Sequence, residues 1–196
     1  MFFGASPLYA FLHGGPITRR FLLNLPWKAW EHGHLDTRTH MLMPGWYPCI
    51  PGWHQDDVIR TERRGNQPDY HVQTIPAEHW LCVFNDDDSQ NAMPQFLIGD
   101  VRVPDPESLD KVYKRLDAYI NRHRDQIEAD AIRRTGQSGY LYHMTSNTFH
   151  RGQPAQRNCW RWFGRVTINR CNINRTYKNE IRRQVNAYLP ELNAGW

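Results

Sequence analysis

Residues 140–168 read YLYHMTSNTFHRGQPAQRNCWRWFGRVTI, and this stretch holds two of the clearest strand patterns in the chain. Aromatic and β-branched residues, which favour strands, recur through 140–148 and 160–168. Gly152 and Pro154 interrupt the pattern between the two runs. We therefore predict two strands joined by an irregular segment, with His150 where the first strand ends.

Similar apolar runs, punctuated by Pro, Gly and Asn-Asp, occur elsewhere. They predict strands at residues 41–47, 72–75, 79–85 and 95–103. After Asp105 and Pro106, apolar residues from Leu109 to Ala131 recur mostly at helical spacing, which predicts one long inserted helix. Shorter helices are predicted at residues 17–25, 27–31 and 178–188. Together these elements indicate a mainly β fold with helical additions, a sandwich or barrel of the jelly-roll kind.

Length and composition are those of one globular unit. A chain of 196 residues is about the size of one domain, so we expect a single domain over residues 1–196. No apolar run is long enough to span a membrane, and the N-terminal residues lack the basic start of a signal peptide. We therefore expect a soluble, cytoplasmic protein with no membrane contact. The cysteines form no CxxC pair, which favours reduced core thiols; they are Cys49, Cys82, Cys159 and Cys171.

The positive charge is unevenly distributed. The formal net charge is only +4, but basic residues concentrate at 122–134 and again at 151–183. Such clusters permit an anionic partner, nucleic acid included, without requiring one, and solvated helix faces explain most clusters of this kind.

A candidate metal site begins in residues 48–57, which read PCIPGWHQDD. His54 and Asp56 are two positions apart, so in an extended segment both side chains project to the same face. His150 lies far along the chain, and two distant strands could bring it to the same place. Two histidines and one carboxylate fill one face of an octahedron around Fe(II) and leave three positions for other ligands.

A candidate anion site follows His150. Arg161 and Arg165 are four residues apart in the predicted strand at 160–168, so they share one face with Phe163 and Thr167. A guanidinium fork matches a planar carboxylate in a bidentate pair. No Asp or Glu occurs in this strand, which favours a bound anion, while a structural partner from another strand is the alternative.

This order of motifs resembles the Fe(II)/2-oxoglutarate-dependent dioxygenase superfamily. The phrase from Arg161 to residue 168 is similar to the end of the core in taurine-dioxygenase-like and phytanoyl-CoA-hydroxylase-like members, and the match covers residues 48–57 and 140–168. The resemblance implies a cupin-like double-stranded β-helix in which His54, Asp56 and His150 bind Fe(II). It also implies that Arg161, Arg165 or both pair with the cosubstrate 2-oxoglutarate. The inserted helix departs from that pattern, and no Thr, Asn or Tyr that assists the cosubstrate is identified.

The implied activity is hydroxylation, or oxidative demethylation, of an organic substrate with O₂. A nucleobase or nucleic acid substrate is one hypothesis, because several aromatic residues precede or adjoin the first ligands; core packing is the other interpretation of Trp27, Trp30, Trp46, Tyr47 and Trp53. Two alternatives to this enzyme are considered. One is a non-catalytic β-sandwich module whose basic tail contacts nucleic acid or protein, and the other is a cupin-like protein with a different divalent metal.

Neighbouring polar residues offer local alternatives. Asp57 could replace Asp56, but in an extended segment it faces away from His54, so a supporting role outside the metal ligands is favoured. His143 has the opposite parity to His150 and is predicted to lie on the other face of the strand. His32 and His34 have no evident third partner and are interpreted as a solvated turn.

Overall fold

A computed structural model describes residues 1–72, 75–86, 90–104, 111–169 and 176–181. Five α-helices occur in the described ranges, together with a short 3-10 helix at Glu62–Arg64: α1 (Pro7–His13), α2 (Pro16–Leu23), α3 (Trp27–His32), α4 (Val112–Arg122) and α5 (Arg124–Asp130). The strands found there are β1 (Phe2–Phe3), β2 (His34–Leu42), β3 (Glu78–Asn85), β4 (Gln95–Gly99), β5 (Ala131–Thr135), β6 (Leu141–Thr145), β7 (His150–Arg151), β8 (Cys159–Ile168) and β9 (Glu180–Ile181).

The strands form antiparallel sheets. The larger sheet has the order β2-β8-β3-β6, a second sheet has the order β5-β4-β7, and β1 pairs with β9. Side chains of both sheets meet in a buried cluster that includes Leu81 and Val83 of β3, Phe96 of β4 and Met144 of β6. The predicted mainly β fold with helical additions is thus confirmed.

Strand β8 separates two environments, because successive side chains of a strand point to opposite faces. On one face Val166 and Trp162 join the core formed with α1, α2 and α3. On the other face Arg161, Phe163 and Arg165 line a cavity. The strand was predicted at 160–168 with these three residues on one face, and both predictions are confirmed.

Helix α4 packs an apolar stripe against the segments that precede the candidate ligands. Val112, Leu116 and Ile120 are buried in one cluster with Trp53 and Phe149. These positions are four apart, so they lie along one side of the helix. The residues that immediately precede His54 and His150 are therefore anchored by the same helix.

The prediction of one long helix is wrong in its extent. The chain is divided at His123, whose backbone conformation is not helical, into α4 and α5. Ala131 then begins β5 and pairs with Gly99 of β4. Residues 105–110, where the start of the helix was predicted, lie outside the described residues.

Other predicted elements differ at their ends. The strand predicted at 41–47 is the end of β2, since the chain turns after Leu42. The helix predicted at 178–188 is wrong where it can be compared, because Glu180–Ile181 form β9 against β1; its remaining residues are not among those described. Cys82 and Cys159 are buried and Cys49 is half-buried, whereas Cys171 is outside the described ranges. No helix in the described ranges has the length and hydropathy needed to cross a membrane.

Candidate metal and anion site

A short antiparallel contact brings the two candidate histidine ligands together. The backbone N–H of His54 donates to the carbonyl of His150 at 3.0 Å, and the N–H of His150 donates to the carbonyl of His54 at 3.0 Å. Directly paired residues place their side chains side by side, and here the ring centroids are 4.3 Å apart. The predicted meeting of two distant segments therefore occurs.

Both imidazoles are held by backbone carbonyls. Nδ1 of His54 lies 2.8 Å from the carbonyl oxygen of Gly52, and Nδ1 of His150 lies 3.1 Å from that of Thr148. Since a carbonyl only accepts, each Nδ1 carries a proton, and in the neutral form of each ring Nε2 is the atom with the free lone pair. Burial, followed by the nearby His150 ring, lowers the pKa of His54 to about 4. His54 is thus neutral at physiological pH, the form in which histidine binds metals.

Asp56 completes the group. Its Oδ1 lies 3.9 Å from Nε2 of His54, and its Oδ2 lies 3.3 Å from Nε2 of His150. Oδ2 also accepts a hydrogen bond from Nη1 of Arg165. Burial alone would raise the pKa of the Asp56 carboxyl, but the charges of Arg165 and His150 hold it well below its usual value. The carboxylate is therefore ionised and oriented.

These three groups fit a divalent transition metal. One ligand atom from each residue lies within 4.8 Å of the others. With metal–ligand bonds of about 2.1 Å, ligands at right angles are about 3 Å apart, so small side-chain shifts would close the site. Two imidazoles and one carboxylate suit Fe(II), and the carbonyl bonds to Nδ1 are the kind of outer contact that orients metal-bound histidines.

Helix α4 holds the loop that carries the first two ligands. Oδ1 of Asp117 accepts from the backbone N–H of Trp53 at 2.8 Å, and the Tyr113 hydroxyl donates to the carbonyl of Gln55 at 2.6 Å. These contacts lie on either side of His54. Sequence reasoning missed both residues, and the only signal was their position on the inserted helix, which looked unrelated to the site.

The two arginines of β8 have different surroundings. Arg165 contacts Asp56, as described, so its partner comes from another segment of the chain. Arg161 is 2% exposed, and its Nε donates to the carbonyl of Ala92 at 3.1 Å. Within the described ranges no carboxylate contacts Arg161, and burial lowers its pKa to about 10. Arg161 is therefore a buried cation without a countercharge.

A cavity of about 210 Å³ connects the ligands with Arg161. Its polar lining includes His54, Asp56, His150, Arg161 and Arg165, which are all the candidate site residues predicted from the sequence. The remainder of the wall is largely apolar and is contributed by both sheets; examples are Leu81, Phe96, Met144 and Phe163. A mainly apolar cavity with a few charged side chains directed into it is typical of a small-molecule site.

The local alternatives are resolved by position. Asp57 has a φ of 55° and is directed towards the buried His79, with 3.9 Å between its Oδ2 and Nδ1 of His79, so it is not grouped with the metal ligands. His143 bonds to Glu78 at 2.9 Å on the opposite side of the sheet from the cavity. His32 is exposed, as expected, whereas His34 is buried at the start of β2, so the prediction of a solvated turn is wrong there.

The aromatic residues near the first ligands belong mainly to the core. Trp53 is 2% exposed and packs with α4, while Trp46 packs beside Leu42. Trp30 packs on the helical side of the large sheet. None of these three lines the cavity described above, so core packing is the better interpretation of them.

Comparison with known proteins gives no family assignment. No protein-family model matches the chain, and a search of curated proteins finds no significant match.

Proposed function

We propose that the protein is a mononuclear Fe(II)- and 2-oxoglutarate-dependent oxygenase. The observation that carries this proposal is the shared cavity, which is lined by a two-histidine, one-carboxylate group and by an arginine that has no countercharge among the described residues. Iron with this cosubstrate, when bound, supplies oxidation of a substrate C–H bond by O₂, with succinate and CO₂ as coproducts. A double-stranded β-helix is part of the same proposal, and it is supported by a cavity lined from two antiparallel sheets.

In this proposal the metal would be held by Nε2 of His54, one carboxylate oxygen of Asp56 and Nε2 of His150. The Gly52 and Thr148 carbonyls keep the two rings in the required tautomer. Arg165 keeps the second oxygen of Asp56 occupied, which favours a single carboxylate–metal bond. Arg165 is thus a positioning residue.

Arg161 is the residue proposed to bind the far carboxylate of 2-oxoglutarate. It is buried, it lines the cavity, and its charge has no partner among the residues described. Arg165 is less suited to this role because Asp56 already pairs with it. The cavity volume of about 210 Å³ suits a small dicarboxylate and leaves a larger substrate at the opening.

For the substrate we propose a broad class, anionic organic molecules, and no single compound. The buried position of Trp53 removes part of the reason for expecting a nucleobase. Arg38 is exposed and lines the cavity, so it offers a positive charge near the opening. We therefore retain an anionic organic substrate, nucleotides and nucleic acids included, as the class to test first.

Metal binding is tested by anaerobic Fe(II) titration of the parent protein and of His54→Ala and His150→Ala. Each substitution should weaken Fe(II) binding at least tenfold, since it removes one of three protein ligands. His143→Ala is the matched control, because His143 bonds to Glu78 outside the cavity. Equal Fe(II) affinity in the parent and both ligand variants would contradict the assignment. Tighter binding of another metal, with no turnover, would favour the alternative metal protein.

Cosubstrate binding is tested by titrating 2-oxoglutarate into the Fe(II) protein and following the metal-to-ligand absorption band. Arg161→Met should raise the concentration needed for saturation more than tenfold, because a charge-assisted bond contributes about 1.5–3 kcal/mol. Succinate formation is then measured with panels of nucleotides, nucleic acids, amino acids and neutral metabolites. Unchanged saturation in Arg161→Met would refute the role of this arginine, and stimulation by neutral metabolites alone would refute the anionic substrate.

A further inference from the structure

His40 is a second unusual polar residue in the cavity wall. It lies on β2 and pairs directly with Arg161 of β8 in the antiparallel register. Directly opposed residues project to the same face of a sheet with their Cβ atoms about 5 Å apart. Both residues line the cavity, and both are almost fully buried, at 1% exposure for His40 and 2% for Arg161.

Neither nitrogen of the His40 ring has a hydrogen-bond partner among the described residues. Buried polar side chains are nearly always paired, because an unpaired donor or acceptor keeps its full desolvation cost. A phenylalanine would fill the same wall without that cost. The imidazole is therefore poorly explained by packing, and a ligand in the cavity would supply its missing partner.

The protonation state of His40 defines what that ligand can be. Burial, followed by the charges of Arg161 and Arg38, lowers the pKa of His40 to about 3. At neutral pH the ring is thus uncharged and carries one N–H donor. A donor beside a guanidinium is complementary to a group with several acceptor oxygens and a negative charge, and a carboxylate has both.

We propose that His40 is a binding residue for the carboxylate held by Arg161, and that its ring N–H donates to one carboxylate oxygen. This inference rests on the proposed function, in which that carboxylate is the far end of 2-oxoglutarate. His40 then distinguishes a five-carbon dicarboxylate from a 2-oxo acid that lacks the second carboxylate. The distinction arises because only the five-carbon acid has a second carboxylate for His40 and Arg161 to bind.

The test compares the parent with His40→Phe, which keeps an aromatic ring but removes the donor, and with His40→Gln, which keeps an N–H donor. Anaerobic calorimetry of the Fe(II) protein measures binding of 2-oxoglutarate and of pyruvate. His40→Phe should bind 2-oxoglutarate about tenfold more weakly, equivalent to about 1.4 kcal/mol, and pyruvate as the parent does. His40→Gln should fall between the parent and His40→Phe. His143→Phe is the matched histidine control, because it lies outside the cavity.

A second measurement separates this role from the oxygenase proposal. Glutarate has both carboxylates but no keto group, so its binding to chelator-treated protein reports on the anion site alone. Millimolar glutarate should raise the melting temperature of the parent more than that of His40→Phe. If this difference is found but no succinate is ever formed, the role of His40 is supported and the oxygenase proposal fails. If succinate is formed and His40→Phe binds both dicarboxylates as the parent does, only the role of His40 is overturned. A parent that binds neither dicarboxylate overturns it as well.

Discussion

Lowering the pH should destabilise the metal-free protein through the buried ring of His40. The folded state holds this histidine neutral, with a pKa of about 3 against an ordinary value of 6.5. Between these two values the unfolded chain binds a proton and the folded chain does not. Protonation of His40 in the unfolded chain therefore costs the folded state almost nothing above about pH 6.5. The free energy of unfolding then decreases as the pH falls from 6.5 towards 3.

The size of the effect between pH 7 and pH 5 follows from the same values. At pH 5 the unfolded side chain is about 1.5 units below its pKa, while the folded one is still neutral. At about 1.36 kcal/mol per unit, the folded state should lose about 2 kcal/mol relative to pH 7. The result is insensitive to the folded pKa, provided that it stays well below 5.

Urea denaturation of chelator-treated parent and His40→Phe at both pH values measures this loss. The variant should lose about 2 kcal/mol less than the parent on acidification. His54 also has a lowered pKa, but it is present in both proteins and its contribution cancels in the comparison. At pH 7 the variant should be at least as stable as the parent, because it no longer buries an unpaired polar ring. If the parent and His40→Phe lose equal free energy on acidification, the ring is not held neutral and the reasoning is refuted.

Three further substitutions test other parts of the structure. Gly33→Ala should destabilise the fold by about 3 kcal/mol in urea denaturation, because the new Cβ would lie 2.3 Å from Cγ1 of Val166; a loss below about 0.5 kcal/mol would contradict this packing. Asp117→Ala should weaken Fe(II) binding about tenfold by loosening the ligand loop, whereas Asp117→Asn keeps an acceptor and should bind nearly as the parent does; equal affinity of both variants would refute the positioning role. Glu78→Gln should change the free energy of unfolding by no more than about 1 kcal/mol, since its partner Lys28 is half exposed, and a larger loss would show that this pair is not a surface one.

Features that depend on local spacing were predictable from the sequence. Strand β8 was found because aromatic and β-branched residues recur through it, and the shared face of Arg161 and Arg165 follows from the two-residue period of a strand. The helical pattern was misleading beyond Ile127, because Ala131 is buried in the same cluster although it already belongs to β5. Ala131 packs on the same core as the helix and stands at a helical spacing from it. From the sequence alone, such a strand residue cannot be distinguished from a residue of the helix.

Features that depend on the register of distant strands were not predictable. The partner of Arg165 is Asp56, on a loop far away in sequence, so the strand alone gave no means of separating the two arginines. His40 was missed for the same reason, because its proximity to Arg161 arises only from the pairing of β2 with β8. Asp117 was missed because the inserted helix was treated as an addition to the fold.

The different surroundings of Arg161 and Arg165 also indicate which of the two is needed for the stability of the fold. Arg165 has its main countercharge, Asp56, within the chain, so removing either partner takes away the strongest opposing charge of the other in the folded state. Arg161 instead lies opposite His40, whose ring nitrogens have no hydrogen-bond partner among the described residues, so the bond from Arg161 to the Ala92 carbonyl offsets only part of the cost of desolvating both side chains. A ligand that binds only the folded state stabilises it by about 2.7 kcal/mol at a hundred times its dissociation constant. A dicarboxylate at this position would therefore offset a cost that the fold carries without it, which is a physical reason for both residues to be where they are.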